Sequence, residues 1–165
     1  MDWLLKNAPG FNQLREEERQ ALGEFSLLWS LFEARVMDTR AGAKTIYAVV
    51  RGWADAGTLN ERTYAPELAY IRHRYFGGPD QAYHLEHLHL QSANKPALVL
   101  AVLDGSNNDP CDTIGVLHTV VFRLRNNLFH GVKWQYQLQG QLENFRNASS
   151  VLVKSLERHG NLGAP

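Results

Sequence analysis

Apolar residues recur along this chain at intervals of three and four, the spacing that places side chains on one face of an α-helix. The longest such stripe lies between residues 16 and 37, and three glutamates at its start suit the positive end of a helix dipole. Its apolar positions include Leu22, Phe25, Trp29, Phe32 and Val36. The pattern predicts one long amphipathic helix over 16–37.

The same spacing, together with typical helix boundaries, predicts six further helices. Gly57 is placed to end the second helix, and Pro66 makes the third begin near Ala65 or bend there. Asp109 followed by Pro110 is a favourable N-cap and first helical residue. The predicted helices cover 43–56, 60–76, 80–90, 95–104, 111–130 and 141–158.

Strand signals are weak in comparison. No stretch alternates apolar and polar residues between hairpin turns, and no internal repeat is visible. At 165 residues the chain is long enough for one domain with a buried core. We therefore predict an all-α helical bundle that occupies 1–165 as a single domain, with its core over about 16–158.

Composition and charge narrow the classes of function. Hydrophobic residues make up 44% and charged residues 21%, which excludes a disordered acidic or basic tail. The 17 basic and 17 acidic residues balance, so binding of nucleic acid would need a local basic patch. A single cysteine, Cys111, excludes an intramolecular disulfide, and we find neither a signal peptide nor a membrane span. These features predict a soluble cytoplasmic protein without a membrane partner.

The window 123–133 carries the most chemistry. It contains two arginines, a lysine, a histidine and two asparagines, and no acidic residue. Asn126 and His130 are four residues apart and share a helical face, and Arg125 can reach the same place. A guanidinium suits a phosphate group, and an imidazole suits proton transfer near neutral pH. The alternative is a basic helix end that complements the dipole, although adjacent asparagines are poor choices inside a helix.

Residues 125–131 resemble the Arg-polar-x-x-x-His signature of HEPN domains (higher eukaryotes and prokaryotes nucleotide-binding). Residues 25–37, FSLLWSLFEARVM, resemble the first core helix of stand-alone prokaryotic HEPN proteins, in which an acidic residue, here Glu33, is often found. The two matches bracket roughly 16–158. The resemblance implies an up-and-down helical bundle, with extra helices in the middle of this chain. It also implies a homodimer that brings two copies of the motif together in a cleft.

Many HEPN proteins are metal-independent endoribonucleases that use the RNA 2′-hydroxyl as the nucleophile. The resemblance implies this activity without a cofactor, in a toxin or defence effector that has an antitoxin or activator protein as a partner. It implies that Arg125 holds the scissile phosphate and His130 transfers protons, while Asn126 orients the phosphate or the histidine. Glu33 is a supporting acid or a structural partner of Arg125. The residues expected to contact RNA beside the motif are Arg123, Lys133 and Trp134.

Two other interpretations stay open. Some HEPN domains are catalytically inactive and serve as binding or dimerisation modules that dock a partner protein or a nucleotide. A helical adaptor without any nucleotide function is the third possibility.

Other candidate groups are weaker. His84, His87 and His89 lack the His-x-x-x-His spacing of zinc proteases, which favours a solvated polar face over a metal site. Residues 72–75, Arg-His-Arg-Tyr, could add a basic and aromatic surface for RNA. Cys111 lies at a predicted helix N-terminus, where the dipole favours a thiolate.

Overall fold

The computed structural model describes residues 2–90, 95–129 and 138–163, and within these ranges the chain forms eight α-helices and no strand. This confirms the predicted all-α class. A π-helical turn, His73–Gly77, extends the fourth helix, and 3₁₀ turns lie at Phe11–Gln13 and Glu61–Tyr64. The helices are α1 (Asp2–Asn7), α2 (Glu16–Arg35), α3 (Ala43–Asp55), α4 (Ala65–Arg72), α5 (Gln81–Glu86), α6 (Pro96–Leu103), α7 (Pro110–Phe129) and α8 (Leu142–His159).

Most helices begin and end near the predicted residues, because local side chains determine their boundaries. Asp109 caps α7 as predicted, since its Oδ1 accepts a hydrogen bond from the Asp112 N–H at 2.9 Å. The predicted third helix is divided instead: Asn60 caps a 3₁₀ turn, and α4 begins at Ala65 with Pro66 in its first turn. The proline therefore starts a helix and does not bend one.

The predicted helix 80–90 is wrong in its second half, because α5 ends well before residue 90. Side chains of α7 bind the carbonyl groups beyond its end. Arg123 Nε donates to the Leu88 oxygen at 3.2 Å, and Asn127 Nδ2 donates to the His87 oxygen at 2.9 Å. These bonds replace the helical partners that the two carbonyls would otherwise have, so the long-range contact stabilises the shorter helix.

Helix α7 lies at the centre of the fold and is buried along most of its length. Helices α3, α4 and α6 pack against it, and α2 packs along α8. Gly115 allows α3 to come close, since a Cβ at this position would lie 2.7 Å from the Tyr47 ring. Buried apolar side chains of these six helices form one connected core. The last described residue of α7, Phe129, reaches the surface.

A network of hydrogen-bonded polar side chains lies inside this core around His118. Its Nδ1 lies 2.8 Å from the Ile114 carbonyl oxygen and therefore donates, while Nε2 lies 2.8 Å from the Ser155 hydroxyl. The Tyr64 hydroxyl lies 3.1 Å from the same Ser155 oxygen. Burial lowers the pKa of His118 from 6.5 to about 4, so the ring is neutral at pH 7. Because Ser155 is fully buried, this Ser–His pair is structural and has no access to a substrate.

Candidate functional site

The guanidinium of Arg125 is held between two aromatic rings near the end of α7. Its Cζ lies 5.6 Å from the ring centroid of Trp29 on α2 and 5.2 Å from that of Phe129. Trp29 is buried in the core, whereas Phe129 is exposed. Both distances are within the range in which a cation is attracted to an aromatic ring. The arginine is therefore positioned at the boundary between the core and the solvent.

Polar contacts further restrict this arginine. Nη1 donates to Asn126 Oδ1 at 3.0 Å, and Nη2 lies 3.7 Å from Glu33 Oε2. The same Glu33 oxygen accepts a hydrogen bond from Trp29 Nε1 at 2.9 Å. The side chains of Arg125 and Glu33 are 28% and 26% exposed, so solvent screens the pair only in part. The structure thus brings together Arg125, Asn126 and Glu33, with Glu33 as the partner of Arg125.

The other half of the predicted motif is not described. His130, Lys133 and Trp134 lie outside the described residues, which stop at Phe129 and resume at Leu138. Their roles as proton-transfer residue and RNA contacts stay predictions that depend on the sequence.

Arg123 does not lie on an RNA-accessible surface, contrary to the expectation from the sequence. It is 9% exposed, its Nε donates to the Leu88 carbonyl, and burial lowers the pKa of its guanidinium. The reason is helical geometry: residues 123 and 125 are about 200° apart around α7, so Arg123 faces the segment that follows α5 while Arg125 faces α2. Arg123 is a structural anchor in this fold.

The basic segment 72–75 also divides between two sides. Arg72 Nε donates to the Val102 carbonyl at 2.9 Å, and its Nη2 donates to Asn108 Oδ1 at 2.8 Å. The Tyr75 ring is buried in the core. His73 and Arg74, the middle residues of this segment, keep side chains that are less buried and that line surface hollows. The predicted basic and aromatic surface is therefore reduced to these two side chains.

A second cluster of polar side chains surrounds Arg74. We use the term polar cleft for the hollow between the π-helical turn, α5, α7 and α8, whose polar lining includes Arg74, His84, His87, Asn127 and Asn144. Arg74 and these histidines lie in separate segments of the sequence, and nothing in the sequence alone indicates a role for Asn144. The available signal is the amide side chain of Asn144 among the apolar positions of α8. Helix packing brings these separate segments together.

The histidines of the cleft contact an aromatic ring. The Tyr83 ring centroid lies 4.0 Å from that of His87 and 5.6 Å from that of His84. His87 Nδ1 lies 2.8 Å from the Tyr83 carbonyl oxygen. Within the described part of the chain, no group of three or more His, Cys, Asp or Glu side chains is arranged to hold a metal ion.

Cys111 differs from the expectation of a favoured thiolate. Burial raises the pKa of its thiol, and the nearby carboxylates of Asp109, Asp112 and Asp55 add to this effect, whereas Arg51 opposes it. Desolvation and like charge therefore outweigh the helix dipole at this position.

No family model, curated protein or solved structure matches this chain. Among the helices of the described ranges, none is both long enough and apolar enough to span a bilayer. The function of this chain must therefore be inferred from the chemistry of its two polar groups, one at Arg125 and one at Arg74.

Proposed function

We propose that this protein is a metal-independent endoribonuclease of the HEPN type that acts as a homodimer. The observation that carries the proposal is the arginine at the end of α7: Arg125 is held by aromatic rings and by Asn126, and it precedes His130 by five residues. A positioned guanidinium suits binding of a phosphate through two parallel hydrogen bonds. The all-α architecture agrees with this proposal.

In the proposed reaction the RNA 2′-hydroxyl attacks the adjacent phosphorus, and the bond from phosphorus to the 5′-oxygen breaks. The products are a 2′,3′-cyclic phosphate and a 5′-hydroxyl end. Arg125 stabilises the negative charge that develops on the phosphate oxygens, and Asn126 fixes the orientation of Arg125. His130 transfers protons, and the motifs of two subunits together supply the base for the 2′-hydroxyl and the acid for the leaving oxygen.

Glu33 orients Arg125 in this proposal. The separation of 3.7 Å between Nη2 and the carboxylate is longer than a direct charge-assisted hydrogen bond. A phosphate oxygen can therefore compete for Nη2 while the carboxylate still holds the arginine near Trp29. Lys133 and Trp134 are further proposed RNA contacts. A nuclease that attacks cellular RNA needs control, so we also propose a toxin or defence effector with an antitoxin or activator protein.

The proposal is tested by incubating total RNA with the protein in EDTA and analysing the new 3′ ends. We expect 2′,3′-cyclic phosphate ends with the wild type and a loss of rate of about 100-fold or more with Arg125→Lys and with His130→Gln. Arg125→Lys keeps the charge but removes the planar fork of donors. Arg51→Lys, at an exposed position on α3, is the matched control and should cleave normally. Equal cleavage by all four proteins would contradict the assignment.

The pairing of Arg125 with Glu33 favours a second candidate, a catalytically inactive HEPN module that binds a partner protein or a nucleotide. Glu33→Gln separates the two, because glutamine retains an acceptor for Trp29 Nε1 but removes the negative charge. For the nuclease we expect binding of a non-cleavable RNA to tighten by about two- to fivefold, the value of a partly exposed ion pair.

The control for this measurement is Glu61→Gln, an exposed carboxylate on the 3₁₀ turn before α4. Unchanged RNA binding in Glu33→Gln, together with no cleavage by the wild type, would favour the inactive module. Binding would be followed by fluorescence anisotropy at constant salt.

A further inference from the structure

We propose that the polar cleft binds a phosphate group, and that Arg74 is the cation that holds it. The ligand is a phosphate of an RNA backbone or of a free nucleotide. This proposal depends on the cleft alone and does not require the ribonuclease activity proposed above.

The charge of the cleft favours an anion. Its described lining contains one arginine and two histidines together with amide, phenol and apolar side chains, and it contains no carboxylate. Arg125, by contrast, lies beside Glu33, and the Lys154 ammonium lies 2.6 Å from Glu67. Arg74 has no carboxylate within ion-pair distance among the described residues. Without nearby carboxylate oxygens, the cleft suits an anion better than a divalent cation.

The hydrogen bonds of Arg74 are incomplete. Nη2 donates to Gln141 Oε1 at 3.4 Å, which is long for such a bond. Its Nε is buried and finds no hydrogen-bond acceptor in the described structure. Burying an unsatisfied donor of a charged group is costly, so a ligand that supplies an acceptor gains affinity at this position. Phosphate oxygens match the fork of guanidinium donors in geometry and in charge.

The backbone around Arg74 forms part of this site. Arg74 and His84 lie between the polar cleft and a neighbouring hollow of about 240 Å³, which His73 and Gly78 also line. A Cβ on Gly78 would lie 2.8 Å from the His73 carbonyl oxygen, so glycine allows the chain to fold closely against the π-helical turn. Such turns are rare and frequently occur at functional sites. Here the turn places the adjacent residues His73 and Arg74 beside open volume.

The remaining polar side chains of the cleft add no negative charge. His84 and His87 contribute imidazole rings to its wall. Asn144 Nδ2 donates to Gln141 Oε1 at 3.1 Å, which holds the same oxygen that Arg74 contacts. The site therefore combines one guanidinium with imidazole and amide groups and with no described carboxylate, and guanidinium and amide groups are among those that contact phosphates in proteins.

The test is an NMR titration of the ¹⁵N-labelled full chain with inorganic phosphate, with chloride used to keep the ionic strength constant. We expect a saturable shift of the Arg74 Nε–H signal in the wild type. We also expect Arg74→Gln to weaken binding, followed on backbone amides of the cleft, by about tenfold or more. Arg51→Gln is the matched control and should bind as the wild type does. The wild-type Arg74 signal needs no substitution, so the test does not depend on whether the variant folds.

Three further ligands identify the source of the phosphate. Adenosine should not bind, whereas AMP and a single-stranded oligoribonucleotide should. Tighter binding of the oligonucleotide assigns the cleft to an RNA backbone, and tighter binding of AMP assigns it to a free nucleotide.

A linear, unsaturable shift of Arg74 would overturn the proposal, as would equal affinity in Arg74→Gln. Phosphate binding that is lost in Arg125→Gln and kept in Arg74→Gln would also overturn it. Because no cleavage is measured, an inactive protein can still bind phosphate here, and the two proposals fail separately.

Discussion

Arg125 and Arg74 show how the surroundings of a residue determine what the same side chain can do. Arg125 is held by two rings, an amide and the carboxylate of Glu33, so its position is well defined and its charge is partly balanced. Arg74 donates a long hydrogen bond to Gln141, and no described carboxylate lies within ion-pair distance to balance its charge. A phosphate at Arg125 must compete with Glu33, whereas one at Arg74 meets no carboxylate among the described residues of the cleft.

His118 provides a prediction about pH at the residue scale. Its pKa is about 4 in the fold and 6.5 unperturbed, so below pH 6.5 the unfolded chain binds a proton that the folded chain does not. The contribution of neutral His118 to the free energy of unfolding is therefore complete above pH 6.5 and is lost as the pH falls to about 4. We expect the free energy of unfolding to decrease by roughly 3 kcal/mol over this interval from this one group. Urea denaturation between pH 7 and pH 4.5 measures the effect.

The matched variants are His118→Gln and His73→Gln. The first should be less stable at pH 7, because the bonds to Ile114 and Ser155 are disturbed, and should lose much of the pH dependence. His73→Gln changes a histidine that lines a surface hollow, and this variant should keep the pH dependence of the wild type. The same slope in His118→Gln as in the wild type would show that other groups cause the dependence.

At the scale of the helices, the close packing of α3 on α7 depends on one small residue, Gly115. Gly115 is a poor helix former, but a side chain there would overlap the ring of Tyr47. Glycine therefore exchanges a little intrinsic helix stability for close contact between the two helices. Gly23 in α2 lowers helix stability without any gain in packing, because a Cβ there would meet no atom within 4 Å.

We expect Gly115→Ala to lower the free energy of unfolding by about 1–3 kcal/mol, because the added methyl group displaces the Tyr47 ring. Gly23→Ala should raise it by roughly 0.5–1 kcal/mol, because alanine favours the helix and has space. Thermal and urea unfolding of both variants test the pair. A neutral Gly115→Ala would show that Tyr47 moves aside without cost.

At the scale of the whole molecule, basic and acidic residues are equal in number, and part of the charge in the described structure is also balanced locally. The formal net charge is zero, and several basic side chains are paired, such as Arg146 with Glu17 and Glu143. No large field therefore attracts a polyanion from a distance. Under the proposed function, binding of RNA depends on a few contacts near Arg125.

This distribution predicts a weak dependence on salt. For about three phosphates contacted on single-stranded RNA, a plot of the logarithm of the binding constant against that of the salt concentration should have a slope of about −2. Arg125→Gln should reduce its magnitude by about 0.7. Anisotropy titrations with a non-cleavable RNA at several salt concentrations measure both. A slope much steeper than about −5 would contradict the prediction, because it would require a broad basic surface.

Helical order could be predicted here because it depends on neighbouring residues. The periodicity around Phe25 and the cap at Asp109 act within a few positions, so the sequence alone indicates α2 and the start of α7. The environments of Arg123, Glu33 and Arg74 could not be predicted in the same way. Arg123 binds a carbonyl 35 residues away, and Arg74 meets a glutamine 67 residues away. Such contacts exist only after the helices pack, because packing determines which polar groups lose water and which partners replace it.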